Sequence, residues 1–261
     1  MTSTPIIFDI ETGPLPLEDI KRILPPFDRT ALGAEPKPFD PSAVKHGNTK
    51  DAKLIADKID AARTKHAEDA KSWWQSAEKA EPDYWSAIEE RAALSSITGQ
   101  VLAIGYSGQA QQIHTVGDGV QESALLAHFW GIYKKARAAH RKLIGFNNKG
   151  FDVPFLVQRS YILGVEVPAM ILTPTGYLEA TFVDLADIWK AGNRGWGEKG
   201  FGSLDTIAKA LGVGSKLPGV TGADFARLFN SSDPSERQLA LDYLSADLAI
   251  TRAVAERFGV A

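Results

Sequence analysis

The 261-residue chain contains no cysteine, which excludes both a disulfide framework and a metal site built on thiolates. It also lacks an apolar run of membrane-spanning length, and its start, MTSTPIIFDIE, lacks the basic segment of a secretory signal. We therefore expect a soluble, cytoplasmic protein with no membrane partner. Basic residues are not in excess either, because 29 Lys and Arg stand against 32 Asp and Glu. A net charge of −3 argues against a protein that coats nucleic acid non-specifically, but it allows transient binding of one end of a strand.

Short β-branched runs alternate with amphipathic stretches along most of the chain. Two predicted strands flank Ser107 and Gly108 as a hairpin, and the segments after them alternate between strand and helix. This order is typical of an α/β fold in which helices flank a mixed sheet. The predicted strands cover residues 5–10, 101–106, 112–116, 143–146 and 181–185, and the predicted helices cover residues 121–139, 154–163, 203–211 and 235–258.

One long segment, residues 12–98, interrupts the alternation directly after the first strand. Its first part is rich in proline and predicts an irregular loop, whereas residues 51–80 have helical periodicity. We predict a helical hairpin that returns through Trp85 and Ile88. The whole segment is then a loop plus helical-hairpin insert within a single domain that covers residues 1–261.

Asp9 and Glu11 lie two residues apart in the first predicted strand, within IIFDIETG. Alternate side chains of a strand share a face, so both carboxylates leave one face while Phe8 and Ile10 leave the other. Acids are depleted inside β-branched strands, which favours a functional pair. The alternative is an aspartate that starts a turn beside an exposed glutamate.

Two further aspartates, Asp152 and Asp247, lie near predicted buried elements. Asp152 follows a buried strand, where an aspartate that caps the next helix is the alternative. Asp247 lies on or beside the inward stripe of the last helix, one turn after Tyr243. A carboxylate near a core must be paired, hydrogen-bonded or metal-bound, so an interior hydrogen bond between tyrosine and aspartate is the alternative for this pair.

Taken together, the four acids predict a site for two divalent metal ions. Two carboxylates about 4 Å apart repel by roughly 4 kcal/mol at an effective dielectric of 20, so four cannot all stay ionised at pH 7 without cations. Mg²⁺ and Mn²⁺ prefer carboxylate oxygens, and two such ions can hold the attacking and leaving oxygens of a phosphodiester displacement. A tyrosine, with a reference pKa of about 10, is a poor general base and is expected to orient the attacking water. The expected catalytic residues are the metal ligands Asp9, Glu11, Asp152 and Asp247, together with Tyr243.

Three motifs, FDIETG, N-x3-F-D and Y-x3-D, occur in this order and carry a family resemblance. They resemble the exonuclease motifs of the DEDD superfamily in its tyrosine branch, and are similar to those of the proofreading domains of family-B DNA polymerases and their stand-alone bacterial and phage relatives. The resemblance covers residues 5–11 and 100–258. It implies a ribonuclease-H-like fold with a mixed five-stranded sheet, two metal ions and release of nucleotides from a 3′ end.

The substrate is expected to contact residues beside the acids and in one glycine-rich loop. The loop, GWGEKG, matches G-x-G-x-x-G but follows a helical segment, so the context of a dinucleotide-binding turn is missing. Its aromatic and basic side chains can touch a nucleic-acid strand, or the aromatic ring can simply pack locally. The residues expected to bind substrate are Thr12, Asn147, Phe151, Trp196 and Lys199.

The expected partner is nucleic acid with a free 3′ end, with single-stranded DNA favoured. An exoribonuclease of the same chemistry is one alternative, since contacts to the 2′-hydroxyl decide between DNA and RNA. A non-catalytic nucleic-acid-binding module is another, although such a module is expected to lose one of the acids. The activity would serve DNA repair or proofreading, beside a polymerase or repair partner. For the insert we weigh an arm that guides the 3′ end past Trp73 or Trp74 against a hairpin that only supports the fold.

Overall fold

Five strands form one mixed sheet in the part of the chain that the structure describes, residues 4–169, 171–173, 178–192 and 202–261. They are β1 (Ile6–Pro14), β2 (Gly99–Ser107), β3 (Gln111–Thr115), β4 (Leu143–Gly145) and β5 (Phe182–Asp184). In the computed structural model their order is β3-β2-β1-β4-β5. β1 pairs antiparallel with β2 and parallel with β4. This is the mixed five-stranded sheet expected of the ribonuclease-H-like fold.

Helices cover both faces of the sheet. The α-helices of the described residues are, in chain order, α1 (Leu17–Ile23), α2 (Ala52–Ala92), α3 (Glu122–Ala138), α4 (Asp152–Ile162), α5 (Leu185–Lys190), α6 (Leu204–Leu211), α7 (Gly222–Phe229) and α8 (Pro234–Arg257). α3 and α4 pack on one face of the sheet, and α6, α7 and α8 pack on the other. Within the described ranges, no helix combines the length and the apolar character needed to cross a membrane.

The central strand β1 divides its side chains between two hydrophobic cores. Ile7 packs into the core beneath α6, α7 and α8, whereas Phe8 and Ile10 pack into the core beneath α3 and α4. Asp9 and Glu11 therefore share the face of Ile7, as strand alternation predicts. The strand thus points both acids toward the layer that contains α8.

A glycine in β2 allows α8 to approach the sheet closely. A Cβ atom at Gly105 would lie 2.6 Å from Cδ1 of Leu248, which is far inside van der Waals contact. Any other residue at this position would push the helix away from β2 or displace the leucine. Because Asp247 is the neighbour of Leu248, this contact also sets how near Asp247 stands to β1.

Most predicted elements are present, and the differences lie at short segments. α1, α5 and α7 were not predicted, and α1 lies where an irregular loop was expected. Helices of 7, 6 and 8 residues contain too few turns for their period alone to reveal them, whereas the equally short α6 was predicted with Ser203 as its N-cap. β1 runs on to Pro14 after an irregularity between Glu11 and Thr12, so the insert leaves the sheet later than residue 12. α8 begins as predicted, with the side chain of Asp233 accepting a hydrogen bond from the backbone N–H of Ser235.

The insert forms a compact unit of its own, residues 21–90, separate from the unit of residues 1–20 and 91–261. Its main element is α2, a single helix of 41 residues. The predicted helical hairpin is therefore wrong. Within α2 no glycine or asparagine is present that could form the turn, and Pro82 is accommodated inside the helix.

A proline-rich strap, residues 25–51, runs antiparallel along α2. Side chains of the helix reach backbone carbonyl groups of the strap in reverse sequence order, which defines this course. The hydrogen-bonded pairs are Tyr84 with Pro25, Trp73 with Leu32, His66 with Lys37 and Lys58 with His46. The strap thus takes the place that the second limb of a hairpin was expected to fill.

Candidate active site

Three of the predicted carboxylates meet where β1 faces α8. Asp9 and Glu11 come from β1, and Asp247 comes from the inner side of α8. One oxygen atom of each carboxylate lies within 4.8 Å of the others. Glu11 and Asp247 are only 8% and 3% exposed, whereas Asp9 is partly exposed to the adjoining pocket. The structure therefore brings together acids that lie more than two hundred positions apart in the chain.

Asp152 extends this group from the first turn of α4. Its Oδ1 accepts a hydrogen bond of 3.3 Å from the backbone N–H of Ile10, and its carboxyl group is hydrogen-bonded to the side chain of Asp9. The N-cap of α4 is Phe151, and Asp152 is buried. Helix capping alone therefore does not account for this aspartate, and the four acids form one continuous cluster.

Removal from water and mutual repulsion raise the pKa values of these acids. Burial, followed by the carboxylates of Asp152 and Glu11, raises the pKa of Asp9 well above its ordinary value. Burial and the charge of Asp247 do the same to the pKa of Glu11. For Asp152, burial outweighs hydrogen bonds from the backbone and raises the pKa to about 7. The cluster consequently retains protons near neutral pH when no cation shares it.

Lys216 contributes a positive charge to the cluster, and the sequence analysis did not assign it to the site. Its Nζ lies 2.5 Å from Oδ2 of Asp247 and 2.9 Å from the hydroxyl oxygen of Tyr243. Burial alone would lower the pKa of Lys216, but the charge of Asp247 and hydrogen bonds to both partners outweigh it and raise the pKa above its ordinary value. The backbone N–H of Lys216 donates to Asp205 Oδ1 at 2.8 Å, which fixes the loop after α6.

Tyr243 stands beside the acids as a neutral phenol. Burial raises the pKa of Tyr243 to about 12, although the hydrogen bond from Lys216 opposes this rise. The hydroxyl group is also hydrogen-bonded to Asp247. From the sequence, a hydrogen bond between Tyr243 and Asp247 was the alternative to a metal site. The structure contains this hydrogen bond, and it lies inside the acidic cluster.

The loop between β4 and α4 presents two of the predicted substrate contacts, Asn147 and Phe151. Asn147 has φ of 56°, a left-handed conformation that asparagine adopts more readily than most residues. Asp184 holds the loop in place, because its carboxylate accepts hydrogen bonds from the backbone N–H groups of Asn147 at 2.8 Å and Lys149 at 3.0 Å. The same carboxylate caps α5 through the N–H of Ala186.

A pocket of about 420 Å³, here called the acidic pocket, opens beside the cluster. Its lining includes Asp9, Asn147, Phe151, Asp152, Lys190, Lys216 and Asp247. Thr12 is not brought there, because the hydroxyl group of Thr12 donates a hydrogen bond of 2.7 Å to the carbonyl of Ala93. Trp196 and Lys199, the remaining predicted contacts, lie outside the described residues.

The donor set of the cluster suits a divalent cation. Asp9, Glu11 and Asp247 offer oxygen ligands close together, which is the ligand type that Mg²⁺ and Mn²⁺ prefer. Asp247 Oδ1 is buried without a hydrogen-bond partner in the part of the chain that the structure describes, so a lone pair remains for an ion. Asp152, hydrogen-bonded to Asp9, supplies a further carboxylate from which a second ion could be held.

A comparison with known protein families identifies a family for the larger part of the chain. Residues 93–258, more than half of the chain, match the sequence model of a family described as a predicted 3′–5′ exonuclease related to the exonuclease domain of PolB. No curated protein matches the chain. One solved structure with a similar fold is the family B DNA polymerase from the hyperthermophilic archaeon Pyrobaculum calidifontis, at 22% identity and a TM-score of 0.49. The similar region covers 64% of this chain and 23% of that polymerase.

Proposed function

The chain belongs to the family of predicted 3′–5′ exonucleases related to the exonuclease domain of PolB, and on this basis we propose that it removes nucleotides from the 3′ end of single-stranded nucleic acid, with DNA favoured. The observation that carries the proposal is the cluster of three carboxylates within 4.8 Å of one another, extended by Asp152. We propose further that residues 1–261 act as a single exonuclease domain in which residues 12–98 are an insert. A role in repair or proofreading, beside a polymerase or repair partner, belongs to the same proposal.

In this proposal the four acids hold two divalent ions. When bound, such ions stabilise negative charge on the phosphodiester oxygens and favour loss of a proton from the attacking water. Asp9 would contribute to both ion positions, because it lies between Asp152 on one side and the pair of Glu11 and Asp247 on the other. The repulsion that raises the pKa values of these acids would be relieved by the bound charges.

Tyr243 would orient the attacking water without removing its proton. With a pKa of about 12, its phenol keeps the proton at neutral pH and can hold a water molecule by hydrogen bonding. Lys216 acts on Tyr243 as a positioning residue, since its ammonium group holds both the phenol oxygen and the carboxylate of Asp247. The ammonium group also balances part of the negative charge before the substrate enters.

The terminal nucleotide would lie in the acidic pocket. Asn147 and Phe151 line this pocket, so an amide and an aromatic ring are available to hydrogen-bond and stack with the terminal base. Lys190 lines the same pocket and can approach a phosphate group. Contacts from Trp196 and Lys199 remain predictions from the sequence, whereas Thr12 is not among the residues that line the pocket.

A cleavage assay with labelled strands tests the proposal. Single-stranded DNA and RNA, each labelled at either the 5′ or the 3′ end, are incubated with the protein in Mg²⁺, Mn²⁺ or EDTA. The expected result is metal-dependent release of mononucleotides from the 3′ end, with faster turnover of DNA. Faster turnover of RNA would identify an exoribonuclease, and binding without cleavage in either metal would identify a binding module. Degradation from the 5′ end would contradict the proposed polarity.

A further inference from the structure

A second groove adjoins the acidic pocket along the exposed side of α4. This α4 groove has a volume of about 540 Å³, within the range of roughly 300–1,000 Å³ that ligand sites occupy. Its lining is mostly apolar, with one lysine and one aspartate. The lining residues that matter here are Lys149, Pro154, Val157, Tyr161, Leu172 and Asp187.

The α4 groove and the acidic pocket are built from the same two segments of chain. In the loop before α4, Asn147 lines the acidic pocket and Lys149 lines the α4 groove. On the facing segment, Ala186 lines the acidic pocket and its neighbour Asp187 lines the α4 groove. A strand whose last nucleotide occupies the acidic pocket can therefore continue into the α4 groove.

An ion pair stands at the boundary between the two concavities. Lys149 Nζ lies 3.6 Å from Asp187 Oδ2, and the two side chains are 36% and 55% exposed. An ion pair this exposed contributes little stability, roughly 0–1 kcal/mol, so the lysine can exchange its partner for a phosphate group at low cost. Asp187 acts in the opposite sense, because its charge repels a phosphate that approaches Lys149.

The apolar side of the α4 groove includes an aromatic ring that the protein does not cover. Tyr161 is 68% exposed, and Leu172 in the same lining is 51% exposed. Aromatic side chains stack with bases of any sequence, and this kind of stacking suits a groove that must pass successive nucleotides of one strand. The apolar side of the groove suits the base of a nucleotide, and the ammonium group of Lys149 suits its phosphate.

We propose that the α4 groove is a subsite for the third nucleotide from the 3′ end of a single-stranded substrate. Tyr161 stacks on its base, and Lys149 leaves Asp187 to neutralise its phosphate. The proposal rests on the proposed function only in naming the strand that enters the acidic pocket. It predicts that the groove affects long strands and leaves a dinucleotide, which is too short to reach it, unaffected.

The test compares a thymidylate dinucleotide with a dodecanucleotide. For the dodecanucleotide, Tyr161→Ala should lower kcat/KM by roughly 5- to 100-fold, the range expected for loss of one stacked base, and Tyr161→Phe should restore it. Lys149→Gln should reduce the salt dependence of binding by about one phosphate contact. Asp187→Asn should strengthen binding, since it removes a repelling charge. None of these variants should change cleavage of the dinucleotide.

The matched control is Ile162→Ala, which removes a side chain that is 53% exposed on the same helix but is not among the residues that line the groove. It should leave both substrates unaffected. Fluorescence anisotropy with the dodecanucleotide in EDTA measures binding when no cleavage occurs, so the subsite can be judged even if the protein proves not to be a nuclease.

Two results would overturn the subsite. In the first, the protein cleaves both substrates and Tyr161→Ala and Lys149→Gln change neither cleavage nor affinity for the dodecanucleotide. The proposed function would then stand without the subsite. In the second, analytical ultracentrifugation shows a self-association that Tyr161→Ala abolishes while affinity for the dodecanucleotide is unchanged, which would make the groove a protein contact.

Discussion

Each of the two compact units of the chain is stabilised internally by a different kind of packing. In residues 21–90 the buried apolar side chains are Ala77 and Trp85, whereas all other buried apolar residues of the described structure belong to residues 1–20 and 91–261. The insert depends on contacts between the strap and a single helix. The sheet unit depends on two cores that enclose the strands. Only the second arrangement can keep several acids out of water, because only there does protein surround them from more than one layer.

The aspartates of the two units show the same contrast in their electrostatics. In the strap, Asp28 and Asp40 are exposed and accept hydrogen bonds from Thr30 and Ser42, which lowers the pKa of each aspartate below its ordinary value. In the sheet unit, burial raises the pKa of Asp152 to about 7. An aspartate that caps a turn is stabilised by being ionised. An aspartate in the acidic cluster opposes folding when it is ionised, and a raised pKa of this kind is typical of functional sites.

The largest expected difference between the units concerns turnover. Asp152→Ala should lower kcat by about 10³-fold or more, since an ion held by this carboxylate would contribute several kcal/mol to the transition state. The matched change in the insert, Asp69→Ala, alters an exposed aspartate of α2 and should leave kcat within about 2-fold. Both rates are measured with end-labelled single-stranded DNA after circular dichroism has shown that each protein is folded. Near wild-type turnover by the Asp152→Ala protein would remove this acid from the site.

One tyrosine in each unit can be changed to phenylalanine, so that the effect of losing a single hydroxyl group is compared between the site and the insert. Tyr243→Phe keeps the buried ring but removes the hydroxyl group that contacts Lys216 and Asp247, and it should lower kcat by about 10²-fold or more. Tyr84→Phe removes the hydroxyl group that donates to the carbonyl of Pro25 in the strap, and it should leave kcat unchanged. Single-turnover rates over a range of pH values provide the readout. Equal effects of the two substitutions would show that Tyr243 only supports packing.

Stability in EDTA should fall with rising pH because of the acidic cluster. The raised pKa of Asp152 means that the folded state binds the proton more tightly than the unfolded state does, so stability is lost as pH rises from the ordinary value of 3.8 toward about 7. The loss is on the order of 4 kcal/mol for a shift of this size. Asp9→Asn retains a hydrogen-bond donor toward Asp152 and removes one repelling charge. We expect it to raise Tm at about pH 8 and to reduce the gain from Mg²⁺ or Mn²⁺.

Asp247→Asn should not stabilise the protein in the same way, because it leaves the ammonium group of Lys216 without its carboxylate. Asp40→Ala is the control in the insert. The pKa of Asp40 is lowered in the folded state, so its contribution is present above the ordinary value and is lost as pH falls; the variant should lower Tm slightly at about pH 8. Thermal unfolding with EDTA and with metal measures all four proteins. Equal shifts with metal in the wild type and Asp9→Asn would show that this acid holds no ion.

The smallest effect is expected when the insert is removed. Replacing residues 24–88 with a short Gly/Ser linker removes few buried side chains, so the sheet unit should still fold and should cleave a dinucleotide at close to the parent rate. The same protein decides between the two roles considered for the insert. Weaker binding of long single strands would identify an arm that guides the substrate, whereas unchanged binding and processivity would leave the insert a support for the fold.

Three acids of the cluster could be predicted because each lies on a regular element, whereas Asp152 was predicted from the N-x3-F-D motif. Strand alternation places Asp9 and Glu11 on one face, and the helical period places Asp247 on the inner side of α8. Lys216 could not be found in this way, since it lies in a loop without a period, and its contact with Asp247 exists only after α6 and α8 have packed.

The two errors near β1 and in the insert have physical causes as well. An irregularity between Glu11 and Thr12 changes the register of β1, and the hydroxyl group of Thr12 is bonded to a backbone carbonyl instead of facing the pocket. A bulge of this kind leaves no mark in the order of polar and apolar residues. The hairpin was expected to return through Trp85 and Ile88 after a helix over residues 51–80, but α2 continues through both residues and the strap packs along it.

The position of β1 at the centre of the sheet restricts local unfolding of this strand. Its backbone pairs with β2 from Ile7 to Pro14, which includes both acids, and with β4 at Ile6 and Ile7, so the strand cannot detach without disrupting both neighbours. Amide protons of such a strand exchange with solvent mainly when the whole unit unfolds. The acids of β1 therefore cannot relieve their repulsion by local fraying. They stay at one geometry, and their repulsion is relieved by bound protons or by a bound cation.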